Sequence, residues 1–199
     1  MNACRKTVNI MIAVIVPCAW VWMMTRGSGS LAATGLNSLK YFTVLSNLLE
    51  GLASVLFLRS ARSAARLKYI AGVAVTLTFM TVMCFLGPIF SYRFMFKGAN
   101  FWFHLIVPLL TIIEMLVLDD REHSKKDSLM AVLPLLVYGS FYMGNILLNG
   151  PGEWPHSNDW YGFARWGIPQ GIALFALFCV LTYLGARLIT RAAGRLQRR

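Results

Sequence analysis

Three windows without a single charged side chain, Tyr69 to Tyr92, Ser128 to Gly152 and Trp166 to Ala186, constrain this 199-residue chain more than any other feature. Each runs beyond about 20 residues, and at about 1.5 Å of rise per residue a helix of that length covers roughly 30 Å of hydrocarbon. Thr7 to Thr25 is slightly shorter and still long enough, and Tyr41 to Leu58 and Gly98 to Leu118 qualify apart from one carboxylate each, Glu50 and Glu114. The expectation is an all-α, polytopic integral membrane protein with six transmembrane helices near residues 7–25, 41–58, 69–92, 98–118, 128–152 and 166–186, bundled as one domain over residues 1–199. The short charged connections Arg59 to Lys68 and Asp119 to Asp127 force antiparallel neighbours, whereas Arg26 to Lys40, rich in Gly, Ser and Thr, reads as flexible. No internal repeat or linker divides the chain.

Composition agrees. Hydrophobic residues make up 57% and charged residues 14%, against about 25% charged in a soluble domain, and a disordered chain needs low hydrophobicity. The net charge of +11, from 19 Lys and Arg against 8 Asp and Glu, would suggest nucleic acid in a soluble protein. Its distribution says otherwise. With both termini cytoplasmic, only Arg26, Lys40, Arg93, Lys97 and Arg165 fall outside, leaving 14 of the 19 basic residues inside, as the positive-inside rule requires. The expected partner is the lipid bilayer, with no nucleic acid. The terminal run Arg187 to Arg199 reads as a stop-transfer flank, with contact to anionic headgroups as the alternative. The N-terminus resembles a signal peptide with cleavage near Ser30, Leu31 and Ala32, but its 19-residue apolar region is longer than the usual 7–15 or so, so it reads as the first span. Trp20, Trp22, Trp102, Trp154, Trp160 and Trp166 gather at outer helix ends as an interfacial belt.

Polar groups left in hydrocarbon are costly and turn inward. Thr43, Asn47, Glu50 and Ser54 share one face of the second helix, Tyr138, Tyr142, Asn145 and Asn149 one face of the fifth, and His104, Thr111 and Glu114 one sector of the fourth, which Pro108 bends. Three helices thus present polar stripes that could meet inside one bundle. Ser54, Thr111 and Tyr138 read as interhelical hydrogen bonds; Glu50, Glu114 and His104 are the functional candidates. Thr43 and His104 both lie within two turns of the outer surface, a possible nucleophile and base, because a hydroxyl is a weak nucleophile until a base accepts its proton. Asn47 and Asn100, one turn away, are candidate oxyanion donors. Glu50 and Glu114 are candidate supports. Lys40, Arg93 or Lys97 could hold a substrate carboxylate, although snorkelling to the interface explains them as well. The four cysteines show no disulfide or metal spacing, and His123 and His156 lie in opposite aqueous loops, so no cofactor and no metal is expected.

KYFTVLSNLL, Lys40 to Leu49, and NFWFHLIVPLLTIIEMLVLDD, Asn100 to Asp120, resemble the androgen-induced and androgen-dependent membrane hydrolases and their bacterial six-helix relatives. The loop Gly150 to Gly162 looks like the bacterial version of a Tyr-Pro loop. That resemblance implies that Thr43 and His104 are catalytic, that the substrate is a fatty acid ester of a hydroxy fatty acid or a similar lipid ester, and that the protein sits in a bacterial inner (plasma) membrane. The competing reading from another class is a small proton- or ion-coupled transporter using Glu50, Glu114 and His104, for which no inverted repeat is visible.

Overall fold

The computed structural model describes residues 3–26, 34–153 and 157–196. The cleavage-like segment at Ser30, Leu31 and Ala32, together with Trp154, His156, Arg198 and Arg199, lies outside the described residues. Within them the fold is all-helical, and six helices are long and apolar enough to cross a membrane: Ala3–Arg26, Phe42–Arg59, Ala61–Phe90, Ala99–Leu118, Lys125–Asn149 and Ile168–Leu196, here the first to sixth spans. Helices close every backbone hydrogen bond within one segment, which is what a water-free surround demands.

The helices run past the uncharged windows at their charged ends. The first starts at Ala3 and takes in Arg5 and Lys6, the third starts at Ala61 and takes in Arg62, Arg66 and Lys68, and the sixth runs on to Leu196. The expected loop from Arg59 to Lys68 therefore shrinks to Ser60 between two helices. The reason is physical: a charge ends an apolar window, but Lys and Arg are good helix formers and do not end a helix. Part of the expected flexible loop is also ordered, because Gly35–Lys40 forms a 3-10 helix whose Ser38 hydroxyl donates to the Gly35 carbonyl at 2.8 Å.

The first four spans pack in a ring, first on second, second on third, third on fourth and fourth on first. Ile12 and Val16 of the first span meet Val44, Val75, Phe103 and Val107 in its core. The fifth and sixth spans lie outside the ring, the fifth against the second and third and the sixth against the third and the end of the fourth, where Tyr69 and Val73 meet Met115, Ala131 and Ala186. Only 11% of the sixth span's apolar window is buried, so its remaining surface suits lipid. Arg5, Lys68, Asp119 and Arg195 mark one end of the bundle, the basic end; Tyr41, Tyr138, Trp160 and Tyr161 mark the other, the aromatic end.

Two prolines widen the helix turn that precedes them. Pro88 follows the π-type turn Val82–Leu86 and Pro108 the π-type turn Trp102–Ile106. A proline ring collides with the carbonyl four residues back, which for Pro108 is that of His104, so the bend expected at Pro108 is absorbed as a wide turn around the histidine. Gly51 lets the first two spans approach closely: a Cβ there would lie 2.8 Å from Val16 Cγ1. Gly51→Leu is expected to destabilise the protein by about 1–3 kcal/mol through overpacking, read as a lower unfolding temperature in detergent.

Candidate functional site

Each span of the four-helix ring contributes one ionisable side chain to a single buried cluster near the basic end: Arg5, Glu50, Lys68 and Glu114. Their signs alternate around the ring. Lys68 Nζ donates to Glu50 Oε1 and to Ser54 Oγ at 2.7 Å, and pairs with Glu114 Oε2 at 3.1 Å without hydrogen-bond alignment. Arg5 Nε donates to Glu114 Oε1 at 3.0 Å, where Asn9 Nδ2 also donates at 2.8 Å, and Thr111 Oγ1 donates to Glu50 Oε1 at 2.9 Å. Glu50 is 0% and Lys68 4% exposed, so separating either charge from its partner in this low-dielectric interior carries a large penalty.

The cluster extends toward the surface. Arg5 donates a second hydrogen bond to Asp119 Oδ1 at 2.8 Å, and its guanidinium lies 4.4 Å from the Phe57 ring centroid. Asp119 pairs with His123 Nε2 at 2.9 Å, and the His123 ring stacks on Tyr69 at 3.9 Å. Burial pushes the Asp119 carboxyl up, but the His123 hydrogen bond and the charges of Arg5 and His123 outweigh it and hold the group below its ordinary value. Arg5 and Lys68 had the sequence signature of topology charges flanking apolar runs. Nothing in the spacing separates a flank from a partner; the only local hint is the Arg5 to Asn9 interval, which puts both on one face.

A second polar group lies nearer the aromatic end. Asn47 Nδ2 donates to the Thr43 carbonyl at 2.8 Å and to the Phe103 carbonyl at 3.1 Å. Both amide hydrogens are thereby used, so Asn47 acts as a clasp between the second and fourth spans and not as the oxyanion donor expected of it. The clasp holds the Thr43 turn beside the wide turn that carries His104. A short helix, Tyr92–Met95, begins at Ser91 with φ 75°, and Ser91 Oγ caps it by accepting from Phe94 N–H at 3.3 Å. That corner directs the Met95 carbonyl at His104 Nδ1, 2.7 Å away. A carbonyl only accepts, so Nδ1 carries the hydrogen, and in the neutral ring Nε2 is left with a lone pair. Among the described residues the Thr43 hydroxyl and His104 Nε2 are not hydrogen-bonded to each other. Asn100 is buried one turn before His104.

The stripes of the second and fourth spans do meet, and Ser54 and Thr111 bond across helices as expected. The fifth-span stripe does not join them. Tyr142 donates to Asp159 and Tyr138 donates to the Lys40 carbonyl at 2.6 Å, while Asn149 bonds its neighbour Asn145 at 2.8 Å. Asp159 also accepts the N–H groups of Phe163 at 2.8 Å and Ala164 at 2.9 Å. Tyr161 Oη accepts the Phe42 N–H at 2.9 Å, an otherwise unpaired donor at the start of the second span. These bonds fasten the loop ahead of the sixth span over the entrance to the second. His104 makes no bond to Glu50 or Glu114 among the described residues.

Beside the second span a groove of about 650 Å³ runs toward the fifth, walled by Phe42, Leu45, Leu49, Val137 and Phe141. Lys40 stands at its aromatic end, its ammonium 5.4 Å from the Tyr41 ring and 5.5 Å from that of Trp160. Arg93 and Lys97 are exposed and do not line the groove. Comparison with protein families, with curated proteins and with solved structures finds no match to this chain.

Proposed function

We propose that this protein is an intramembrane threonine hydrolase of lipid esters, acting on fatty acid esters of hydroxy fatty acids or similar acyl esters. Thr43 is the nucleophile and His104 the base, in a bacterial inner membrane with both termini cytoplasmic. The observation that carries the reading is the Asn47 clasp, one amide nitrogen bonded to the Thr43 and Phe103 carbonyls, which holds the backbone turn of Thr43 beside the turn that leads into His104. The Met95 carbonyl supports it by presenting Nε2 as the proton acceptor. The apolar groove along the second span, with Lys40 at its head, suits an acyl chain with a polar end.

In this mechanism the Thr43 hydroxyl attacks the ester carbonyl while His104 Nε2 takes its proton; collapse of the adduct returns that proton to the departing alkoxide and leaves an acyl-threonine. Water, deprotonated by Nε2, then attacks the acyl carbon and releases the fatty acid and the free hydroxyl. The general-base contact tightens once substrate lies between the two groups. Asn47 is a positioning residue, and Asn100, buried one turn before His104, is the other amide the sequence offers for the developing oxyanion. A carrier mechanism needs Glu50 and Glu114 free to load and unload; here both carboxylates hold Lys68 or Arg5, which favours the hydrolase.

The test is covalent labelling of the purified protein with a fluorophosphonate probe, with turnover of a branched fatty ester alongside. Labelling and turnover are expected in the wild type and lost in Thr43→Ala and His104→Ala. Activity that survives both substitutions overturns the proposal, and proton-driven, Glu50-dependent uptake into proteoliposomes would install the carrier in its place.

A further inference from the structure

At the basic end a cleft of about 570 Å³ separates residues 120–123 from the end of the sixth span. Arg187, Arg191 and Arg195 line it at four-residue intervals, one above the other on a single helical face. None of the three forms an ion pair among the described residues. Arg121 closes the cleft from the other side, fixed by donating from Nη1 to the Ala61 carbonyl at 2.7 Å with its guanidinium 5.4 Å from the Phe57 ring. Asp120 and Glu122 also line it, but four guanidiniums against two carboxylates leave a surplus of two positive charges. Asp120 lies 3.8 Å from Arg5 Nη1, and its side chain is 90% exposed.

We propose that this cleft binds the phosphate-bearing headgroup of an anionic phospholipid. Guanidinium forks match phosphate oxygens bidentately, and stacked like charges on one helix face repel one another until an anion sits between them. Position on the helix assigns the phosphate to a lipid and not to a soluble anion: Leu184 and Leu181, 49% and 45% exposed, precede Arg187 by one and about two turns on the apolar side and offer the acyl chains a track. Basic pockets at the cytoplasmic ends of membrane helices take such headgroups. The site is remote from Thr43 and His104, and its test is independent of any hydrolase activity.

The experiment uses the full chain in uncharged detergent, titrated with phosphatidylglycerol, phosphatidylcholine or inorganic phosphate, and reads bound lipid by native mass spectrometry and the unfolding temperature. Phosphatidylglycerol is expected to bind and stabilise, and phosphatidylcholine and inorganic phosphate are not. At roughly 1 kcal/mol per arginine, each Arg→Gln change weakens binding about fivefold and R187Q/R191Q/R195Q together about a hundredfold. Arg59 and Arg62 are exposed basic residues outside the cleft, and R59Q/R62Q is expected to change binding less than about twofold. Equal losses in the two multiple variants mean diffuse attraction to the basic end and overturn the site. Stabilisation by inorganic phosphate equal to that by lipid overturns the lipid assignment. If the triple variant does not fold, R191Q alone carries the same comparison at about fivefold.

Discussion

Lys68→Met is expected to destabilise the bundle by about 3–5 kcal/mol, the usual cost of stripping one partner from a buried ion pair. Methionine matches the lysine stem in length and helix propensity, so the loss comes from the missing ammonium. That ammonium donates to Glu50 and Ser54 and faces Glu114; without it two buried carboxylates confront each other with a single nearby positive charge fewer than the cluster needs. The measurement is thermal unfolding in detergent, followed by tryptophan fluorescence and by recovery of the monodisperse protein. In the double variant Lys68→Met/Glu50→Gln the glutamine still accepts from Thr111 and the charge mismatch falls by one, so a large part of the stability returns. A loss below about 1 kcal/mol for Lys68→Met, the size typical of exposed pairs, would show that water screens the cluster.

The second large effect concerns activity. On the hydrolase reading, His104→Ala lowers kcat/KM for a fatty ester by about 10²–10⁴-fold, the usual contribution of a positioned general base, with gel-filtration behaviour unchanged. Thr43→Ala removes the acyl acceptor, so covalent probe labelling disappears altogether. Asn47→Ala separates positioning from chemistry: it frees the Thr43 and Phe103 carbonyls from their common donor and is expected to lower kcat while leaving labelling detectable at long times. The chemistry belongs elsewhere if Thr43→Ala still labels at the wild-type rate.

Hydropathy located every span, because satisfying backbone groups in hydrocarbon leaves the helix as the single-segment solution, and no strand appears among the described residues. The ends of the spans were less legible. Windows bounded by charge stop the first helix short of Arg5 and the third short of Lys68, yet both residues are helical and buried. A basic residue at the edge of an apolar run has one sequence signature whether it faces headgroups or a carboxylate inside the ring. The bend expected at Pro108 appears as the wide turn at 102–106, and the wide turn at 82–86 precedes Pro88 in the same way, which the apolar window 69–92 did not single out; the one at Glu114–Leu118 has no proline after it and left no mark in the sequence.

The sequence alone determined the six apolar helices and the carboxylate within each of the second and fourth, since these follow from hydropathy and charge placement along one chain, while Thr43 and His104 were singled out as candidates by their depth along the helices and by the resemblance of short motifs. Tertiary structure decided which polar groups meet. It paired Glu50 and Glu114 with Lys68 and Arg5, spent the Asn47 amide on two carbonyls, and sent the fifth-span tyrosines to the loop at Asp159. Those outcomes depend on how helices rotate and slide against one another, and an inward-facing stripe specifies a face but not the partner that will stand opposite it.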